Sequence, residues 1–163
     1  MNKFYVIANS QKDMDFAMAD KISEYIIAKG GTCVCQKRDI GKEGIKYNSA
    51  DASLIPEGTE CVIVLGGDGT LIQAARDLSS INVPVFGINI GTLGYLTEID
   101  MEQAFPAIDR IMADEYNIDT RMILRGRVYR GDDKLYSDIA LNDIVINRMG
   151  SLKIINFDIF VNG

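Results

Sequence analysis

Residues 61–70 read CVIVLGGDGT, and this stretch decides the fold class of the chain. The run from Cys61 to Leu65 is short, apolar and rich in branched side chains, which predicts a buried β-strand. A glycine-rich turn follows it, and a helix is predicted from about Leu71 to Leu78. A strand that leads through a glycine turn into a helix is typical of a βαβ unit, so the stretch predicts an α/β fold.

Strand-like segments on both sides repeat the alternation of strand and helix. They span residues 4–8, 32–36 and 85–89, and a helix between the first two is predicted from Asp13, its cap, to about Lys29. Such alternation with short connections is typical of a parallel sheet covered by helices. We therefore expect residues 1–118 to form a Rossmann-like parallel sheet with flanking helices.

The helices are predicted from apolar stripes and from their capping residues. The stripe of the first helix consists of Met14, Met18, Ile22 and Ile26. Asp100 is a predicted cap for a later helix, with Gln103 at the capping-box position. Pro106 predicts either a kink in this helix or a start near Phe105.

The character of the chain changes after about Tyr116. The later part contains only strand-like runs, at residues 122–129, 135–141, 144–147 and 154–161. A hairpin turn is predicted at residues 131–133. We expect residues 119–163 to begin an antiparallel all-β domain. Since the final Asn162-Gly163 pair is also typical of a hairpin turn, we expect the chain to be a truncated piece of a longer protein.

The composition excludes several classes of function. The 163 residues include 17 basic and 23 acidic side chains, and the net charge of −6 argues against nucleic-acid partners, which need a basic face. The absence of histidine excludes histidine-based triads, histidine-ligated zinc and imidazole acid–base chemistry. Any proton transfer must therefore use a carboxylate, lysine, cysteine or tyrosine side chain.

The cysteines and the N-terminus predict a cytosolic protein. Cys33, Cys35 and Cys61 are odd in number and lack the spacing of a disulfide framework, which predicts reduced thiols. The apolar run after Lys3 is too short for a signal peptide or a membrane span, so no membrane partner is expected.

The glycine-rich turn is the strongest candidate site. Its glycines, Gly66, Gly67 and Gly69, allow a ligand to approach the backbone, and the following helix offers free amides that suit phosphate. Asp68 would repel phosphate, so its presence predicts a task such as orienting a hydroxyl, accepting its proton or holding magnesium. The alternative is that Asp68 and Thr70 only cap the helix. The spacing matches neither the Walker A motif nor the dinucleotide fingerprint.

Two further segments are weaker candidates. Residues 87–96, GINIGTLGYL, contain Asn89 and also follow a predicted strand, so they would border the same crevice, with Tyr95 available to stack on a base. A purely structural turn is the alternative. Asn142 and Asp143 interrupt an apolar strand, which predicts either a bulge or a pair of groups that bind ribose hydroxyls.

Together the three segments resemble the NAD kinase family over most of the chain. The first motif alone is shared with diacylglycerol kinases, sphingosine kinases and phosphofructokinases. The resemblance implies that Asp68 accepts a proton from the adenosine 2′-hydroxyl of NAD, that Tyr95 covers the adenine, and that Lys153 faces the ligand. The residues predicted to bind nucleotide are Gly66, Gly67, Asp68, Gly69, Thr70, Asn89, Tyr95, Asn142, Asp143 and Lys153. No residue is assigned as a metal ligand.

The resemblance also implies an activity and partners. NAD would be the substrate, ATP the phosphoryl donor, and Mg²⁺ or another divalent cation would be required. The full-length parent would be a cytoplasmic homo-oligomer, a dimer or a tetramer. This chain departs from the family in two ways: Asp143 stands where glutamate is usual, and the family's later Gly-Asp-Gly segment and Thr/Ser-rich loop are absent. The alternatives are a lipid kinase of the diacylglycerol or sphingosine type, a non-catalytic nucleotide-binding module, and an NAD-dependent oxidoreductase.

Overall fold

A four-stranded parallel sheet forms the centre of the first part of the chain. The structure is a computed structural model that describes residues 1–36, 50–91, 94–97, 99–147 and 156–162. The strands are β1 (Lys3–Ala8), β2 (Thr32–Gln36), β3 (Cys61–Gly66) and β4 (Val85–Asn89). Their order in the sheet is β2-β1-β3-β4, and each neighbouring pair is parallel.

In the described residues, three α-helices cover both faces of this sheet. They are α1 (Ala17–Ala28), α2 (Asp68–Asp77) and α3 (Ala104–Met112). Helices α1 and α3 pack on one face, against a core that includes Val6 and Ile63. Helix α2 packs on the opposite face, where Tyr5 and Val64 are buried. Because successive strand residues point to opposite faces, both faces of β1 and β3 are apolar and covered. The α/β class with flanking helices is thereby confirmed.

The first helix begins later than the stripe predicts. A short 3-10 turn covers Met14–Phe16, and Asp15 and Phe16 have positive φ angles of 59° and 56°. This turn breaks the helical spacing between Met14 and the residues of α1. Met14 is therefore 76% exposed, and its predicted place on the buried stripe is wrong; Phe16 is buried instead.

Asp13 caps α1 across this turn. Its carboxylate is buried and accepts hydrogen bonds from the backbone N–H groups of Met18 at 2.9 Å and Ala19 at 2.9 Å. These are the second and third residues of α1, whose amides have no partner inside the helix. The predicted capping role of Asp13 is confirmed, although Phe16 occupies the N-cap position itself.

Substitution of Asp13 by alanine is expected to lower the free energy of unfolding by about 1–2 kcal/mol, because two first-turn amides lose their acceptor. Urea unfolding followed by circular dichroism measures the change. Glu24→Ala, an exposed change in the middle of the same helix, is the matched control and should stay within about 0.5 kcal/mol of the parent. Equal effects of the two substitutions would contradict the capping role.

Helix α3 begins at Ala104, close to the predicted start. Asp100 accepts a hydrogen bond from the backbone N–H of Gln103 at 2.9 Å, but no side chain caps α3 at Gln103 itself. Pro106 is the third helical residue, where an amide would have no partner within the helix. Proline therefore costs no helical hydrogen bond at this position.

A second compact unit begins at Ile123, after a first unit of Met1–Met122. It contains an antiparallel hairpin of β5 (Leu124–Arg130) and β6 (Asp133–Ala140). The predicted turn is present, and Gly131 has a φ of 59° that favours glycine. The hairpin agrees with the predicted antiparallel character.

Two predicted strands of the second unit are not formed in the described residues. Residues 144–147 and 156–161 are not in strands, so these predictions are wrong there; residues 154 and 155 lie outside the described part. A strand needs a neighbour for its backbone hydrogen bonds, and an apolar pattern does not supply one. Val145 is 80% exposed and Phe160 81%, so these parts of the two runs are largely uncovered in the described residues.

The connection between β2 and β3 lies partly outside the described residues. From residue 50 onward it is described, and it contains a 3-10 turn at Ala52–Leu54. No helix in the described ranges is long and apolar enough to cross a membrane.

Candidate nucleotide-binding site

Three loops meet where β1, β3 and β4 end. The strands are parallel, so their carboxyl ends lie along one edge of the sheet. The backbone N–H of Asn9, after β1, donates to the carbonyl of Leu65 at 2.9 Å, and that of Ile90, after β4, donates to the carbonyl of Gly66 at 2.7 Å. Chain connections leave β1 and β3 towards opposite sides, so the edge between these two strands is a topological switch point. Ligands of open α/β sheets bind in this position.

The glycine turn leads directly into α2. Gly67 is the N-cap residue, and no side chain caps the helix there. The hydrogen-bond partners of the Asp68 and Thr70 side chains lie on other loops and not among the first amides of α2, so the alternative that these residues serve only as helix caps is wrong. Thr70 instead accepts a hydrogen bond from the side-chain amide of Asn9 at 3.1 Å, which links the loops after β1 and β3. A Cβ on Gly66 would overlap the Thr70 side chain, so glycine is needed at position 66.

Asp68 fastens the loop after β4 to the start of α2. Its Oδ2 accepts from the backbone N–H of Tyr95 at 2.8 Å. Its Oδ1 accepts from the backbone N–H groups of Leu96 at 3.1 Å and Thr97 at 3.0 Å, and from the Thr97 hydroxyl at 3.0 Å. We call this set of four hydrogen bonds the Asp68 clamp.

The clamp changes the acidity of Asp68. Hydrogen bonds from backbone N–H groups, that of Tyr95 first, lower the pKa of the carboxyl below its ordinary value near 3.8. The carboxylate is therefore ionised at neutral pH and is a weak base. Since the folded pKa is the lower one, the clamp contributes stability above the ordinary pKa and loses it as the pH falls through the folded value.

Two buried side chains, those of Asn89 and Thr97, support the clamp. The Asn89 side-chain amide donates to the Thr97 hydroxyl at 2.9 Å, and both residues are buried. The Thr97 hydroxyl in turn donates to Asp68. Asn89 was predicted to bind nucleotide; its observed contact is with Thr97, and direct binding of nucleotide by Asn89 stays a prediction.

Gly94 is also essential to the clamp, and sequence reasoning did not single it out. A Cβ at this position would overlap the Asp68 carboxylate. The feature of the sequence that could have indicated Gly94 is that it is the second glycine of the loop after β4. Thr97 and Asn9 were missed as well, because their side chains act through partners that are distant in the sequence.

The other predicted residues differ in their surroundings. The Tyr95 side chain is 96% exposed, although its backbone is held by Asp68. Gly69 has open space around its Cα. Asn142 donates to the Asp143 carboxylate at 3.1 Å, just after β6 in the second unit. Lys153 lies outside the described residues.

The described residues contain no cluster of three acidic or cysteine side chains that could hold a metal ion. The three cysteines are free thiols, and burial raises the pKa of Cys61 to about 12. A protein-built metal cage is thus absent from the part of the chain that is described, while the assignment of no metal-ligating residue stays a prediction.

Comparison with known proteins decides the family. Residues 4–116 match the family model described as the ATP-NAD kinase N-terminal domain. The chain belongs to the ATP-NAD kinase family. The family expected from the three sequence motifs is thereby confirmed, and the clamp and glycine turn lie inside the matched residues.

Curated NAD kinases of the family align with the whole chain. The chain is 50% identical over 166 residues to the NAD kinase of Lachnospira eligens and 46% identical over 163 residues to that of Agathobacter rectalis. In both cases the alignment covers 100% of this chain and 56% of the relative. The chain thus spans about half the length of the curated relatives it matches.

A solved crystal structure shares the fold of this chain. The crystal structure of yeast NADH kinase complexed with NADH superimposes with a TM-score of 0.63 at 17% sequence identity. The match covers 87% of this chain and 47% of the yeast chain. At this identity the likeness supports the fold alone.

Proposed function

We propose that the protein is an ATP-dependent NAD kinase, which transfers the γ-phosphoryl group of ATP to the 2′-hydroxyl of the adenosine ribose of NAD and so forms NADP. The observation that carries the proposal is the Asp68 clamp: an ionised carboxylate is held between two glycine loops at the switch point of the sheet. Membership of the ATP-NAD kinase family supports the choice of substrates.

Asp68 orients the acceptor hydroxyl and takes its proton late in the reaction. Each carboxylate oxygen can accept two hydrogen bonds, and Oδ1 already has three donors. Oδ2 accepts one, from Tyr95, which leaves room for a substrate hydroxyl. The lowered pKa makes Asp68 a weak base. A weak base suffices because phosphoryl transfer passes through a loose transition state that needs little early deprotonation.

The glycine turn and neighbouring residues position the nucleotides. Backbone amides of Gly66 to Gly69 at the start of α2 bind phosphate oxygens, which suits the partial positive charge of a helix N-terminus. The exposed ring of Tyr95 stacks on the adenine. Asn142 and Asp143 bind ribose hydroxyls, and Lys153 faces the ligand. Residues 1–118 form the domain that carries the turn, and residues 119–163 begin the second domain.

Magnesium, or another divalent cation, would enter this site bound to ATP. The described residues offer no protein cage of three ligands, and most of the lone pairs of Asp68 are used by the clamp. This donor set fits an ion that is held mainly by phosphate oxygens, as Mg²⁺ in many kinases is. The bound ion would neutralise charge on the transferring phosphate.

Removal of divalent cations by excess EDTA is therefore expected to lower NADP formation at least about 100-fold, since the developing phosphate charge loses its main counter-charge. The rate of NADP formation is measured before and after chelation, and again after Mg²⁺ is added back. Recovery on re-addition excludes damage to the protein. Full activity in the chelator would show that the reaction needs no metal.

The cellular setting is also part of the proposal. Free thiols, including a buried Cys61 that stays protonated at neutral pH, suit the reducing cytoplasm. The net charge of −6 argues against nucleic acid as a partner. The full-length protein assembles as a dimer or tetramer, which light scattering of the purified protein measures.

A panel of acceptors tests the proposed function. The natural full-length protein is incubated with ATP, Mg²⁺ and either NAD, diacylglycerol or sphingosine, and ADP release is measured. Release that depends on NAD supports the proposal. Release that depends on a lipid identifies a lipid kinase, and tight NAD binding without release identifies a non-catalytic module; either outcome overturns the proposal.

A further inference from the structure

We infer that Lys12 binds the phosphate chain of a nucleotide at the glycine turn, as a cationic contact supplied by the loop after β1. No sequence motif singles this residue out. It lies on the loop after β1, beside the glycine turn that carries Asp68. The inference rests on the proposed function and adds a binding residue to the same site.

The position of the Lys12 ammonium group is the first observation. A Cβ built on Gly67 would lie 2.8 Å from Lys12 Nζ, and one built on Gly91 would lie 3.7 Å from it. The amine therefore lies against backbone that has no side chain, and it is close to both glycine loops at once. A Cβ at Gly67 would push the amine away, so the close approach depends on glycine there, whereas a Cβ at Gly91 would be in ordinary contact with the amine.

Hydrogen bonds hold the loop that carries Lys12 in a defined conformation. Asn9 accepts backbone hydrogen bonds from Lys12 at 2.9 Å and Asp13 at 2.8 Å, and its side-chain oxygen accepts one from the Gln11 N–H at 3.0 Å. The Asn9 side-chain amide also donates to Thr70 on α2. Asn9 thus joins the turn of Lys12 to the glycine turn, so the lysine backbone has a defined position beside the site.

The charge of Lys12 is available for a ligand. Within the described ranges no ion pair joins Lys12 to a carboxylate. The adjacent Asp13 carboxylate instead accepts the first-turn amides of α1. A lysine ammonium has three donors and pairs strongly with phosphate oxygens, which are the one strongly anionic part of both ATP and NAD. A phosphate chain lying along the glycine turn would therefore contact this cation.

The test compares Lys12→Met with Lys21→Met in the natural full-length protein. Lys21 is exposed on α1 and serves as the control for loss of one positive charge. For Lys12→Met we expect the KM for one nucleotide to rise at least about tenfold, the loss usual for a charge-assisted hydrogen bond. Lys12→Arg keeps the charge and should recover most of the affinity.

The two nucleotides are separated by binding measurements. Calorimetric titrations of ATP, NAD and inorganic tripolyphosphate are made on each variant. Weaker binding of ATP and tripolyphosphate places Lys12 at the triphosphate, and weaker binding of NAD alone places it at the pyrophosphate of NAD. Unchanged binding and unchanged KM for all ligands would overturn the inference. If the parent itself binds neither nucleotide, the proposed function has failed and not merely this residue's role.

Discussion

Replacement of Asp68 by asparagine is expected to lower the turnover number for NADP formation by about 100-fold or more, the usual contribution of a general base. Asparagine has nearly the same shape but carries no charge and cannot accept a proton. The clamp consists of N–H and O–H groups that all point at the carboxylate. The N–H₂ group of asparagine would face these donors and could accept no hydrogen bond from them. The turnover number is measured in the natural full-length protein, and circular dichroism checks that the fold is kept.

Asp77→Asn is the matched control for this change. Asp77 lies in the same helix and accepts hydrogen bonds from the Ala50 N–H at 2.8 Å and the Gln73 side chain at 2.7 Å. Its substitution removes a hydrogen-bonded carboxylate of α2 that is remote from the glycine turn. We expect turnover within a few-fold of the parent for Asp77→Asn. Near-parent turnover for Asp68→Asn would exclude Asp68 as the base.

Replacement of Gly94 by alanine is expected to lower turnover by about 100-fold, the size of effect that a displacement of roughly 1 Å can have on positioned groups. The added Cβ would overlap the Asp68 carboxylate, so either the carboxylate or the loop must move. The free energy of unfolding should fall by about 1–3 kcal/mol, as in other overpacked sites. Steady-state kinetics and urea unfolding measure the two effects.

A double substitution shows whether the effect of Gly94→Ala passes through Asp68. In an Asp68→Ala background the carboxylate that would be overlapped is gone. Adding Gly94→Ala should then cost less than about 0.5 kcal/mol of stability, since residues that act through one contact are not additive. A full destabilisation in that background would mean that Gly94 is required for another reason.

The sheet of the first unit could be predicted closely from the sequence. Strands β2 and β4 match the predicted bounds, and β1 and β3 differ by one residue at one end. Parallel strands buried on both faces are continuous apolar runs, and glycine or polar residues mark their ends clearly. The start of α1 was missed because Phe16 has a positive φ, which is uncommon for an aromatic residue and cannot be predicted from the spacing of apolar residues.

The second unit could be predicted less well. The hairpin was foreseen because its turn contains Gly131, whose positive φ suits glycine. The runs at residues 144–147 and 154–161 have the composition of strands, but composition does not report whether a pairing strand is present. Exposure of Ile146 and Ile159 above three quarters shows how little of their apolar surface is covered.

The site itself was predicted in part. The glycine turn and its acidic residue predicted a carboxylate that orients a hydroxyl, accepts its proton or holds magnesium. That role stays a prediction, while the structure places Asp68 at the carboxyl end of β3, as its position in the sequence indicated. The clamp was not predicted, because its donors are 27 to 29 residues further along the chain. Only the folding of the β4 loop back onto α2 brings Thr97 and Gly94 to Asp68. Contacts of this kind depend on the fold and not on local spacing.

The position of the transferred phosphate tests the central claim most directly. The natural full-length protein is supplied with ATP, Mg²⁺ and either NAD or an NAD analogue in which the adenosine 2′-hydroxyl is replaced by hydrogen, and phosphoryl transfer is measured for each. The account predicts transfer to NAD, with the new phosphomonoester on the adenosine 2′-oxygen, and no transfer to the analogue. Equal transfer to both dinucleotides, or no transfer to NAD, would contradict it.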